Sequence, residues 1–210
     1  MQGAYQQRLR RWFSVRCALC QLYPAQDGDV LCLGCTQDLP WRGEQLLVQA
    51  LPVQVAFDYA WPIDRVIHRY KYQGVHQMAP ILVAGLLRLP RPEVDALLAV
   101  PLSASRLRQR GFNQSHALAR HLSLHWEIPL LGCIERRKTL QQQGLSRSER
   151  LLNLDGAFSL RAGTTGLPTR VALIDDVLTT GSTLVHLADL LHNHGVIETS
   201  ALVVASRKRG

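Results

Sequence analysis

One short stretch of this chain limits the fold more than any other. Val171, Ala172, Leu173 and Ile174 form an apolar run that reads as a strand buried on both faces, and Asp175 and Asp176 close it. A loop of Thr179, Thr180, Gly181, Ser182 and Thr183 follows, and Leu184–Leu191 then carries a helical apolar pattern. A buried strand feeding directly into a helix is the unit of an α/β protein with a parallel sheet. In open sheets of that kind, ligands bind outside the carboxyl ends of the strands. The free N–H groups and positive dipole end of the following helix favour an anion such as phosphate. The four loop hydroxyls add donors, and Gly181 lets backbone amides close around phosphate oxygens. Two carboxylates are poor partners for a phosphate but good acceptors for a neighbouring sugar diol. A diol next to a phosphate describes a ribose 5-phosphate. The plainer reading, a strand, a turn and a capped helix, leaves the density of loop hydroxyls unexplained.

The same string resembles the 5-phosphoribosyl 1-pyrophosphate (PRPP) motif of the type I phosphoribosyltransferases: apolar strand, two acids, spacer, T-T-G-S-T. The resemblance implies that Asp175 and Asp176 hold the ribose diol and that residues 179–183 hold the 5-phosphate. Enzymes of this group acting on 6-oxopurines usually carry an aspartate where Thr179 stands, which argues against hypoxanthine or guanine as the base.

Cys17-Ala-Leu-Cys20 and Cys32-Leu-Gly-Cys35 give two C-x2-C pairs, the spacing of a four-thiolate structural zinc site. The competing reading is two disulfides in a secreted protein. Residues 6–13 lack the apolar core of a secretory signal, so a cytoplasmic chain with reduced thiols, and therefore metal, is expected. Cys133 stands alone in an apolar stretch and reads as a packed core residue.

With 210 residues, 47% of them hydrophobic, the chain can bury a sizeable doubly wound core. No apolar stretch approaches the ~20 residues a membrane helix needs. The net charge of +8 comes from 24 basic residues, nearly all arginine, against 16 acidic ones, and makes anionic partners plausible. Two units are expected: residues 1–45, a short basic helix over 4–14 with the cysteine knuckle, and residues 50–210, the α/β domain. Strands are expected at 53–59, 95–100, 130–134, 171–174 and 199–205. Helices are expected after Pro62, at 78–87, from the Asn113 cap to about His125, and at 182–194. His121, His125, His192 and His194 read as surface or cap residues.

Three basic segments complete the reading. Arg69–Gly74 places Lys71 and Gly74 where they suit a pyrophosphate clamp, or simply a helix end with a glycine cap. Residues 101–114 start at a strand's carboxyl end, so Arg106 and Arg110 face either the ligand crevice or solvent. The polar stretch 135–150, which includes Arg136, reads as a lid able to exclude water from PRPP. The succession of the four-cysteine knuckle, Y-K-Y-Q-G, R-x-R-G-F-N-Q, R-R-x-T-x-x-Q, E-R-L-x-N-L-x-G-A-F and the T-T-G-S-T loop resembles the ComF/GntX competence family across nearly the whole chain. That likeness implies a type I phosphoribosyltransferase-like fold with an N-terminal zinc knuckle, acting on external DNA at the cytoplasmic side. It places Lys71 and Gly74 in a pyrophosphate loop and makes Arg110, Gly111, Asn113, Arg136, Gln143, Arg150 and Asn153 recurring polar positions. The expected cofactors are structural Zn²⁺, and Mg²⁺ with PRPP. The expected partners are PRPP or a related ribose 5-phosphate, DNA-uptake or DNA-processing proteins and single-stranded DNA. The alternative is an active PRPP-dependent transferase of nucleotide salvage, acting on a base other than a 6-oxopurine.

Overall fold

The computed structural model describes residues 16–26, 30–72, 78–136 and 157–207. The expected helix over 4–14, Gly74, and the lid beyond Arg136 with Gln143, Arg150 and Asn153 lie outside these residues. The elements run α1 (Leu33–Gln37), β1 (Trp41–Val48), β2 (Leu51–Asp58), α2 (Ile63–Tyr72), α3 (Ala79–Leu87), β3 (Ala96–Ala99), α4 (Ala104–Arg110), α5 (Gln114–Trp126), β4 (Leu130–Leu131), β5 (Ile134–Arg136), β6 (Phe158–Leu160), β7 (Arg170–Leu178), α6 (Ser182–His192) and β8 (Glu198–Ser206).

Six strands form one sheet in the order β1-β2-β8-β7-β3-β4, while β5 and β6 pair separately. From β2 to β4 every pairing is parallel. The edge strand β1 is antiparallel, joined to β2 by a tight hairpin through Gln49 and Ala50, both at positive φ. Sequence alone did not reveal β1, because Arg42-Gly-Glu-Gln45 breaks the period-2 alternation between Trp41 and Leu46–Val48.

The central strands are apolar on both faces because helices cover both. Ala172, Ile174, Leu202 and Val204 pack with α2, α3 and α5. Their neighbours Val171, Leu173, Ala201 and Val203 pack with α6. This two-residue alternation is the strand pleat itself. Each fully buried Leu, Ile or Val contributes about 1.5–3 kcal/mol of transfer free energy. Gly85 permits α3 to lie directly on the sheet, since a Cβ there would meet the Phe57 ring at 2.1 Å. Cys17, Leu31 and Cys32 join the buried cluster on the α2 side, so the knuckle packs on the sheet layer.

Two strand expectations change. The strand does not stop at Ile174. Its ladder with β8 continues through Asp175–Val203 to Leu178–Ser206, so both acids sit within β7. The stretch 130–134 is not one strand either. Leu130 and Leu131 pair with β3, and after Gly132 and Cys133 the chain turns to pair Ile134–Arg136 with β6. Among the described residues, no helix is long and apolar enough to cross a membrane.

Candidate ligand crevice and cysteine cluster

The carboxyl end of β7 gathers side chains from three elements. Lys71, in the last turn of α2, donates from Nζ to Asp176 Oδ1 at 2.7 Å, and both side chains are largely covered. Ser115, in the first turn of α5, donates from Oγ to Asp175 Oδ1 at 2.8 Å. The same Oδ1 also accepts the Asp176 backbone N–H at 2.9 Å. Burial, and then the Asp176 charge, push the Asp175 carboxyl well above the usual range, to about 7. The Ser115 and Asp176 N–H hydrogen bonds and the Lys71 charge act against that rise. Next to Lys71, the Tyr70 phenol is pushed up to about 12 by burial and by Asp176.

The helix that delivers Ser115 is anchored by Asn113. Its Oδ1 accepts the His116 N–H and so caps α5, while its Nδ2 donates to the Val100 carbonyl just beyond β3. The expectation of an Asn113 cap therefore holds, and the cap also ties α5 to the strand end. Arg110 closes α4 ahead of the left-handed Gly111. Its guanidinium donates to Gln114 Oε1 at 2.9 Å and to the Tyr72 hydroxyl at 3.3 Å, which places it beside the end of α2 that carries Lys71. Arg136 ends β5 with its guanidinium over the Phe158 ring. Burial lowers its pKa, Arg106 adds to that effect, and Asp175 opposes it.

Between the acids and α6 lies the hydroxyl loop. Thr179 and Thr180 are exposed, and the Thr180 and Ser182 hydroxyls are 2.9 Å apart. Thr180 Oγ1 also accepts the Ser182 N–H. Gly181 is required here twice over. Its φ is +82°, and a Cβ would meet Val48 Cγ1 at 2.4 Å. A cavity of about 390 Å³ opens at the carboxyl end of the neighbouring β3, lined in part by Asn113, His116, Arg136 and Arg161 but not by the acids, Lys71 or the hydroxyl loop. A larger one, about 810 Å³, lies at the opposite end of the sheet, between the β1–β2 turn, α6 and the start of β8. Of the residues named from the sequence that larger cavity holds His192, and it holds none of the proposed ligand-binding residues. Ser115 was not foreseen, because a lone serine in a helix's first turn carries no pattern of its own.

The second locus is the knuckle. The four Sγ atoms of Cys17, Cys20, Cys32 and Cys35 lie within 4.8 Å of one another, and none forms a disulfide. Cys20 and Cys32 have sulfurs 3.8 Å apart. Burial pushes the Cys17 thiol up, but backbone hydrogen bonds at Cys20, Cys32 and Leu19 outweigh it and favour the thiolate. Such a cluster can hold a metal ion. Cys133 is partly covered against the α6-side core, and burial pushes its thiol up. A groove of about 400 Å³ separates the knuckle from α2 and is lined by Tyr23, Asp38, Trp61, Arg65 and Arg69 among others. Trp61 and Tyr23 are about two-thirds exposed, at 64% and 65%.

No protein-family model matches the chain. Relatives do. Competence protein F of Haemophilus influenzae is 33% identical over 90% of this chain and 96% of its own length. The DNA utilization protein YhgH of Salmonella typhi is 36% identical over 85% of this chain and 78% of its own. Among solved structures, orotate phosphoribosyltransferase from Aeropyrum pernix is 20% identical, with a TM-score of 0.41, covering 66% of this chain and 65% of that one. Adenine phosphoribosyltransferase from Leishmania tarentolae is 15% identical, with a TM-score of 0.40, covering 66% and 75%. On the similarity and coverage of its competence and DNA-utilization relatives, the chain belongs to the ComF family.

Proposed function

We propose that the carboxyl end of β7 binds PRPP or a ribose 5-phosphate nucleotide, and that the protein uses this ligand in the cytoplasmic handling of external DNA. The observation that carries the reading is the convergence of Lys71, Asp175 and Asp176 at one strand end, immediately ahead of the Thr179–Thr183 loop. In this assignment the acids accept the ribose hydroxyls, and the loop amides and hydroxyls take the 5-phosphate. Lys71, which donates to Asp176 Oδ1, is assigned to steady the leaving pyrophosphate. Arg110 and Arg136 are assigned to phosphate contacts around the same crevice, and Gly74 is assigned to the pyrophosphate on the family resemblance alone. Mg²⁺ arriving with PRPP would be held on the side of Asp175 and Asp176 and would supply charge neutralisation for the pyrophosphate. Placement and charge are the chain's contribution to any transfer at C1.

The four cysteines are assigned to a structural Zn²⁺. Zn–S bonds of about 2.3 Å give tetrahedral S···S edges of about 3.8 Å, the separation found for Cys20 and Cys32. The knuckle groove supports a DNA contact. Trp61 and Tyr23 offer stacking surfaces, and Arg65 and Arg69 lie one turn apart on α2, the combination that single-stranded nucleic acid favours.

The test is PRPP binding alongside pyrophosphate release with a panel of bases. Saturable binding without turnover supports a ligand-sensing protein in DNA uptake. Turnover with a base other than a 6-oxopurine supports the salvage transferase instead. Failure to bind PRPP at all contradicts both.

A further inference from the structure

The hydrogen bonds of the acid pair leave a specific set of acceptors. A carboxylate oxygen carries two lone pairs. Asp175 Oδ1 already receives the Ser115 hydroxyl and the Asp176 N–H. Asp176 Oδ1 receives Lys71. Among the described residues no donor reaches Oδ2 of either acid, so one oxygen per carboxylate remains for a ligand, and two hydroxyls are needed to satisfy them. Ser115 is 2% exposed and spends its only proton on Asp175, so it cannot touch a ligand itself. It acts by holding the carboxylate plane, whose terminal torsion is otherwise broad.

We infer that Ser115 is a positioning residue that sets the crevice's preference for ribose over 2-deoxyribose, by fixing Asp175 so that its Oδ2 must receive a sugar hydroxyl. The inference rests on the ribose 5-phosphate reading of this site. A 2-deoxy sugar leaves a partly covered acceptor facing it unpaired, and sites built to bond a hydroxyl reject analogues that lack it. For a chain whose relatives are named for DNA utilization, the consequence is specific. The crevice reports on a ribose metabolite and excludes the deoxyribose phosphates that DNA breakdown releases.

Calorimetric titration of the full chain with ribose 5-phosphate and with 2-deoxyribose 5-phosphate tests this on wild type, Ser115→Ala and Ser115→Thr. Wild type is expected to prefer the ribose compound by about thirtyfold or more, from the loss of one buried charge-assisted hydrogen bond. Ser115→Ala should bring the ratio below about fivefold, and Ser115→Thr, which keeps the hydroxyl, should restore it. A merely structural role would weaken both ligands together and leave the ratio unchanged, and that result overturns the inference. Equal binding of both sugars by wild type also overturns it. If wild type binds neither, the ribose reading itself falls, and the inference falls with it. If Ser115→Ala does not fold, Ser115→Cys, a weaker donor of similar size, must show an intermediate ratio, and an unchanged one counts against the assignment.

Discussion

The cysteine knuckle and the strand-end crevice are held in place by opposite means. In the knuckle, ordered secondary structure is scarce. Among its described residues the one helix, Leu33–Gln37, has no side-chain cap and buries none of its own residues, and four thiols converge beside it. In the crevice, long parallel pairings fix the backbone first, and the charged side chains are carried to one point by β7, α2 and α5. With the proposed zinc, one region would depend on a single centre for its shape. The other has its shape from the core, which leaves its side chains to the proposed ligand.

That contrast predicts different failures. The largest effect is expected from Cys32→Ser. It removes a proposed zinc ligand whose side chain also packs in the α2-side core, so metal content should fall and stability drop by several kcal/mol. Metal analysis and thermal melting of the two proteins check this. Asp176→Asn should do the reverse, weakening ribose 5-phosphate or PRPP by about tenfold or more while stability changes much less. The fold is spared because Lys71 keeps the Asp175 charge within reach. Titration and melting curves on the same sample separate the two effects.

Gly181→Ala should fall between these cases. It places a side chain at φ +82° and against Val48, costing about 1–3 kcal/mol and distorting the hydroxyl loop together. The last effect is read as a pH dependence rather than as a loss on substitution. Asp175 has a folded-state pKa of about 7, above the unfolded carboxyl value near about 4. The folded state therefore binds more protons than the unfolded state in that window. This group's contribution to stability is fully present below about pH 4 and is lost as pH rises through about 7. Subtracting the stability profile of Asp175→Asn from that of wild type should show this fall, and a flat difference would contradict it.

Much of the crevice was legible in the sequence because its signals are local. The apolar run before Asp175, the Thr179–Thr183 hydroxyls, the Asn113 cap and Cys17/Cys20 with Cys32/Cys35 each carry their meaning within a few residues. What escaped depends on distant pairing. Strand β1 lacks a regular alternation because Arg42–Gln45 interrupts it, and it is defined by its register with β2. The extension of β7 through Asp175 and Asp176 depends on β8, since two adjacent acids look like the end of a strand until Val203 and Ala205 are seen opposite that stretch. The link from Lys71 to Asp176 spans 105 positions and the link from Ser115 to Asp175 spans 60, distances at which no periodicity can pair residues. The Trp61–Arg65 groove is equally hidden, because its second wall is the knuckle.

A structure of the chain determined with PRPP and Mg²⁺ tests the central claim most directly. The account predicts ribose hydroxyl oxygens within hydrogen-bond distance of Asp175 Oδ2 and Asp176 Oδ2, with the 5-phosphate against the amides of residues 179–183. It is contradicted if the ligand settles instead in the larger cavity at the opposite end of the sheet, with the Lys71–Asp176 pair undisturbed and the hydroxyl loop bare.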